Sequence, residues 1–85
     1  MAIAFDPAKD AANIAKHGVS LALASELEVL AVVEDERRDY GEVRKRAFGV
    51  IDGVFFSLAY TLRDGQVRAI SLRRAHQKEI DRYVR

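Results

Sequence analysis

Two Asp-Gly pairs, Asp52-Gly53 and Asp64-Gly65, constrain this chain more than any other feature. Asp-Gly favours the two-residue turn in which both residues adopt a left-handed backbone, a geometry that matches the twist of a β-hairpin. The first pair joins "VRKRAFGVI" to "VFFSLAYTLR", and the second joins that run to "QVRAISLRR". All three runs carry the β-branched and aromatic residues that suit a pleated, half-buried surface. Two such turns between three such runs predict an antiparallel meander. Alternation in the middle run puts Val54, Phe56, Leu58, Tyr60 and Leu62 on one face. Phe55, Ser57, Ala59, Thr61 and Arg63 fall on the other. In the third run the same parity groups Arg68, Ile70 and Leu72 with the apolar face, and Ala69, Ser71 and Arg73 with the polar one. Helices are expected to cover the apolar face. The polar face should then be a shallow concavity rimmed by arginine.

The N-terminal half reads as helix. After "AIAF", a short apolar run that can be a first strand, Asp6-Pro7 has the form of an N-cap followed by proline at the first helical position. Lys16 and His17 fall in the last turn of that helix, where positive charge suits the dipole, and Gly18 suits the residue just past its end. Ser20 can cap a second helix with Leu21, Ala24, Leu27 and Leu30 on one face. "VLAVV" (Val29 to Val33) is β-branched enough to be a strand, and the charged stretch from Glu34 to Tyr40 reads as a loop or strand edge. A final helix starts at about Ala75 and turns Ile80 and Tyr83 or Val84 inward. The order is β-α-α-β-β-β-β-α, an α+β fold forming one domain over residues 1–85.

Several function classes drop out on composition. The chain has no cysteine, so disulfides and thiolate metal sites are excluded. No apolar run approaches the roughly 20 residues that span a bilayer, and the N-terminus lacks a basic stretch followed by an apolar one. A cytoplasmic protein with no membrane partner is expected. His17 and His76 have no second ligand at helical spacing, so no metal site is expected, nor any cofactor. The five glycines are scattered turn residues and form no phosphate loop, and no serine sits in a nucleophile-elbow frame. The net charge of +1 hides an asymmetry. Residues 1–42 carry four Lys/Arg against nine acids, a balance of −5, and residues 43–85 carry ten against four, a balance of +6. Such a split suggests a basic working surface with an acidic counterweight.

Arginine, lysine, histidine, tyrosine and a few acids around a polar sheet face are the equipment for metal-free RNA cleavage. The ribose 2′-hydroxyl is the nucleophile. The protein must take its proton, neutralise the phosphorane and protonate the leaving oxygen. The guanidinium fork suits the middle task. On parity Arg73 is the arginine that joins Ser71 on the polar face, and Arg63 joins Thr61 there. Arg74 points the other way. The base could be His76, His17, Glu42 or a lysine. The last helix, turning back over the strand end, is expected to bring His76 near Arg73. Plainer roles compete: Lys16 and His17 as a helix cap, Glu42 with Arg44 as a surface ion pair, Arg63 as a turn residue, Tyr83 as core. A non-catalytic module that docks nucleic acid or an acidic partner on the same face is the alternative.

"FDPAKDAANIAKHGVS" resembles the opening of the BrnT family of bacterial toxins, F-x-W-D-P-x-K followed by N-x-x-K-H-G-[VI]-[SD]. "GEVR" resembles the family's G-E-x-R before a strand. "YTLRDGQVRAISLRRAHQKEIDRY" resembles its x-T-x-R-x-x-x-x-R-I-I-S-A-R-[RK]-A-[TS]-x-x-E-x-x-x-Y. The matches run in order along nearly the whole chain. Phe5 stands where the family usually has tryptophan, His76 stands where it has a small hydroxyl residue, and the stretch after the second helix is short. The resemblance implies a RelE-like sheet with two N-terminal helices packed on it, and an endoribonuclease toxin that stops translation. It implies a BrnA-type ribbon-helix-helix antitoxin that neutralises the toxin and alone contacts operator DNA. Together with the residue reading it makes Arg63, Arg73, His76 and Glu42 the candidate catalytic set. Lys16, His17, Arg44, Arg68, Arg74 and Tyr83 are the candidate RNA-binding set.

Overall fold

The computed structural model describes residues 3–35 and 41–85. The two Asp-Gly turns form as hairpins. Asp52 and Asp64 have φ of 47° and 54°, and Gly53 and Gly65 have 75° and 76°, the left-handed geometry that such turns require. They connect β3 (Arg44–Ile51), β4 (Val54–Arg63) and β5 (Gln66–Arg74). Counting outward from the first turn sets the pairing: Ile51 lies opposite Val54, Phe48 opposite Ser57, and Arg46 opposite Ala59. A strand β2 (Glu28–Glu34) adds antiparallel to β3, and β1 (Ile3–Ala4) adds parallel to β5. The five-stranded mixed sheet has the order β1-β5-β4-β3-β2.

Helix α1 (Pro7–His17) starts where expected. The Asp6 carboxylate accepts from Ala8 N at 2.8 Å, and Gly18 closes the helix in the left-handed conformation. The second helix does not form as an α-helix. Leu21–Glu26 is a 3-10 helix capped by Ser20, and the chain is extended again by Leu27. Leu21 and Ala24 are fully buried, whereas Leu30 lies in β2 and is half exposed. The expected helical stripe therefore stops at Leu27. Asp10 ties the two helices together, accepting from Ser20 Oγ at 2.9 Å and Leu21 N at 2.7 Å. Of the charged stretch from Glu34 to Tyr40, residues 36–40 lie outside the described part.

The core lies between the 3-10 helix and the sheet. Leu21, Ala24 and Leu27 pack on Ala47, Ile51, Phe56, Leu58, Ala69 and Leu72. Burying each large aliphatic side chain contributes roughly 1.5–3 kcal/mol, so a few such contacts decide whether a domain of this size folds. Gly49 faces this side. A Cβ there would collide with the Glu28 backbone of β2, so only glycine lets the two strands approach.

The other sheet face is not open throughout. The chain ends in a short α-helical turn, α2 (Gln77–Glu79), with His76 at its N-cap, and continues as a π-helical segment, Ile80–Val84. This segment lays Tyr83 on Phe48, ring centroids 5.1 Å apart and nearly parallel. Ser57 and Thr61, expected on an exposed polar face, are 0% and 2% exposed. Helices thus flank both faces, and what stays open of the polar face is divided among separate clefts.

One irregularity redistributes the arginines. Between Ala59–Ser71 and Tyr60–Ala69 the pairing of β4 with β5 slips by one residue, leaving Ile70 as a bulge. A bulge inserts one residue and reverses the parity of everything beyond it. Arg68 therefore pairs with Thr61 on the polar face, not the apolar one. Ala69 is fully buried in the core, not on the polar face, and Ile70 leaves the core parity.

Candidate functional site

With that register, Arg44, Arg46, Arg68 and Arg73 all project from the face that carries Ser57, Ser71 and Thr61. Helix α1 borders this face along β5. Asn13, 4% exposed, holds it there. Its amide donates to Leu72 O at 2.9 Å and to Val19 O at 2.9 Å, and its Oδ1 accepts from Leu72 N at 3.0 Å. The Asn13 side chain thus occupies the place of a neighbouring strand at the edge of β5, satisfying backbone groups that burial would otherwise leave costly.

Between α1 and the sheet is an open cleft of about 390 Å³, lined by Lys9, Lys16, His17, Arg46, Ser71 and Arg73 among others. Burial holds His17 below the ordinary histidine pKa, with further lowering from the charges of Lys16 and Arg73. His17 is therefore mainly neutral at pH 7 and able to accept a proton. Arg46 is nearly buried. Its Nη1 donates to Ser57 Oγ at 2.7 Å, and its Nη2 lies 3.7 Å from Asp35 Oδ2.

Arg73 is held from the C-terminal turn. Its two terminal nitrogens donate to the two Glu79 carboxylate oxygens at 2.8 and 2.9 Å, and Nη1 also donates to Arg74 O at 3.1 Å. Glu79 accepts in addition from His76 N at 2.8 Å. The hydrogen bonds from Arg73 hold the Glu79 carboxyl down at about 2, against the burial that alone would raise it. A guanidinium has five donors, so three are engaged and two remain for a ligand in the cleft.

A second cleft of about 140 Å³ continues past Lys9 and Ile70 and gathers Glu42, Arg44, Arg63 and Arg68. Here Glu42 pairs with Arg63 at 3.3 Å, not with Arg44, and both side chains are substantially exposed. A third, of about 130 Å³, shares Arg46 with the main cleft and is lined besides by Val33, Glu34, Asp35, Phe48, Glu79 and Tyr83.

The predicted residues thus separate. Lys16, His17 and Arg73 meet in the main cleft. Arg63, Glu42, Arg44 and Arg68 form the adjoining one, and Tyr83 borders the third. The last turn brings His76 onto the same Glu79 oxygen that Arg73 Nη1 contacts, but outside the clefts. The His76 side chain is 62% exposed, with Nδ1 3.7 Å from Glu79 Oε1, and it lines none of the three clefts. Arg74, opposite Phe56 at the strand end, is exposed and lines none of them either. Sequence reasoning missed Lys9, Arg46 and Glu79. Arg46 was within reach, because the two-residue turn at Asp52-Gly53 dictates its pairing with Ala59. Lys9 precedes Lys16 by two helical turns on the same side of α1. Nothing local marks Glu79, six residues past Arg73 across a strand-to-helix junction. Among the described residues no three His, Asp or Glu side chains converge to hold a metal ion, and no helix is long and apolar enough to cross a membrane.

A small α+β domain with a sheet face of clustered arginines, bordered by helix lysines and a neutral histidine, is of the class built to hold a polyanion. Residues 5–79 match the family described as the ribonuclease toxin, BrnT, of type II toxin-antitoxin systems, and the chain belongs to that family. No curated protein matches the chain.

Proposed function

We propose that the chain is a metal-independent endoribonuclease whose active face is the cleft between α1 and strands β3 and β5. The observation that carries this reading is the convergence of Lys9, Lys16, Arg46 and Arg73 on one cleft with His17, whose pKa burial lowers. RNA brings its own nucleophile. His17 takes the proton of the ribose 2′-hydroxyl. The 2′-oxygen bonds to phosphorus, the bond to the 5′-oxygen breaks, and that oxygen leaves with a proton from a cationic group of the cleft. Arg46 and the unengaged edge of Arg73 meet the charge that develops on the phosphorane. Groups of this kind are typically each worth about a hundredfold or more in rate. Arg63, Arg68, Arg44 and Glu42 line the path of an adjoining phosphate. His76 and Arg74 contact only RNA that extends past the strand end.

In the cell this activity inhibits translation, and a BrnA-like ribbon-helix-helix antitoxin restrains it by covering the basic face. The sheet with its N-terminal helices is consistent with a RelE-like fold. Incubating the purified chain with single-stranded RNA in EDTA tests the chemistry. Fragments ending in 2′,3′-cyclic phosphate are expected, and intact RNA would overturn the reading. One observation favours a second reading, binding without cleavage: Glu79 already fills the fork of Arg73. Retarded but uncut RNA would decide for it.

A further inference from the structure

The two edges of the sheet are unlike. β1 is two residues long, whereas β2 runs for seven, and among the described residues no strand lies beyond it. An edge strand presents unpaired backbone N–H and C=O groups, and proteins blunt such edges with charged side chains, lysine above all, or with proline or a bulge. β2 has no lysine or proline and carries charge only at its two ends, Glu28 and Glu34. Its one irregularity is at Leu30, and residues 31–34 beyond it pair with β3 in unbroken register. The strand is also apolar where it meets water. Of the seven large apolar side chains exposed among the described residues, Val29, Leu30 and Val32 lie here, at 40%, 49% and 48%. Residues directly opposite share a face. Ala31 and Val33 stand opposite Phe48 and Arg46, on the face that Tyr83 borders, and both are half-buried. Val32 stands opposite Ala47 and Val29 opposite Gly49, on the core face. The 3-10 helix that covers the core leaves both valines exposed, so the apolar surface of the core runs on to the edge of the sheet.

We propose that the edge of β2 takes an extended segment of a partner protein as a sixth strand, and that this segment is apolar at alternate positions with Lys or Arg at its two ends. The backbone ladder supplies attraction to any extended chain, and side chains supply the choice. Here the choice is made by charge. Glu28 and Glu34 are exposed and close the apolar run at both ends, and Glu26, also exposed, precedes it. On the inner side Glu28 has Val50 as its neighbour and Glu34 has Lys45. On the outer side, among the described residues, neither has a cross-strand neighbour. Opposite charges directly across a sheet attract and like charges repel. A second copy of β2 is therefore a poor occupant. Paired antiparallel along its full length, it sets Glu28 opposite Glu34 at both ends, and paired parallel it sets each glutamate beside its own copy. A segment with basic ends turns both contacts favourable, and its apolar side chains extend the surface of Val29 and Val32. This surface is separate from the proposed active site, because no residue of β2 lines the basic cleft. A partner held here stays bound whether or not that cleft is filled.

The probe is a synthetic peptide, Lys-Val-Thr-Val-Thr-Val-Lys with both termini capped, beside the same peptide with glutamate at each end. Each is titrated into the full isotope-labelled chain and followed by NMR. The lysine-ended peptide should shift the amide signals of residues 29–33, slow their exchange with solvent, and bind at least about tenfold more tightly than the glutamate-ended one. Val32→Lys, which sets a blunting charge in mid-strand, should abolish binding. Glu28→Gln combined with Glu34→Gln should leave the two peptides bound alike. This double variant alters only exposed side chains, so it carries the test if Val32→Lys lacks a native circular dichroism spectrum. Signals of β2 that stay in place with both peptides, or peptide-induced shifts confined to the basic cleft around His17, overturn the docking edge. Signals of β2 that move with protein concentration alone give the edge to a second copy of the chain and overturn it too. Equal binding of the two peptides by the unmodified chain overturns the selection by charge, and with it the partner assigned.

Discussion

Replacing Glu79 with glutamine removes one negative charge and almost nothing of the side chain's shape. The carboxyl of Glu79 falls from the ordinary 4.5 to about 2, chiefly through its two hydrogen bonds from Arg73. At about 1.4 kcal/mol per pKa unit that drop corresponds to roughly 3 kcal/mol. Both side chains touch water, at 19% and 16% exposure. Solvent screening reduces the figure, and about 1–2 kcal/mol is the expected loss for Glu79→Gln at pH 7. In a domain of this size that lowers the melting temperature by roughly 5–15 °C. The pH dependence is more telling. The folded-state pKa is depressed, so the unfolded chain binds a proton that the folded chain does not. The stabilisation is whole above about pH 4.5 and is lost as the pH falls toward 2. Urea unfolding of both proteins from pH 7 to pH 2.5 should show a constant gap down to about pH 5 that narrows steadily below it. Taking the difference between the proteins cancels the other carboxylates. A gap that stays constant to pH 2.5, or no gap at pH 7, would refute the pairing as an energetic contact.

Asn13→Ala should cost roughly 2–4 kcal/mol, because it leaves the Leu72 N–H and C=O buried without partners, and amide exchange at Leu72 should accelerate selectively. His17→Gln should remove the acid limb of the pH–rate profile. The wild-type rate should fall only below the ordinary histidine range, since a base must be deprotonated and the pKa of His17 is lowered. If the antitoxin works by covering the basic face, hydrogen exchange on the complex should show protection at the segments of Arg63 and Arg73. Absence of protection at both would place the antitoxin elsewhere.

Much of the frame was legible because it rests on short-range chemistry. The Asp-Gly turns, the Asp6 cap, Gly18 and the Ser20 cap each act within a few residues, and each appears where the residues place it. The meander and its register follow from the turns by counting. What escaped was decided at a distance. No glycine or proline marks the Ile70 bulge, so alternation carried back from Leu72 assigned Arg68 and Ala69 to each other's faces, although counting from the Asp64-Gly65 turn pairs Arg68 with Thr61. The 3-10 geometry of Leu21–Glu26 satisfies the same apolar spacing as an α-helix over a single turn. The position of His76 outside the clefts follows from Glu79, which bonds both Arg73 and the His76 amide and thereby sets where the last turn begins. A contact between strand and helix six residues apart has no periodic signature.

The Ile70 bulge also sets what kind of change the strand can accept. Arg68 and Arg73 are separated by an odd number of positions, yet they share a face only because one residue between them is uncounted by the ladder. The bulge, more than the residue that forms it, is what the face depends on. Deleting Ile70 would leave the two arginines four positions apart, and a regular ladder with the same pairs would still hold both on the polar face and Ala69 in the core. Keeping all five positions but straightening the bulge would instead turn one arginine toward the core. In β5 a shortening by one residue is therefore milder than a substitution that removes the bulge while keeping the length.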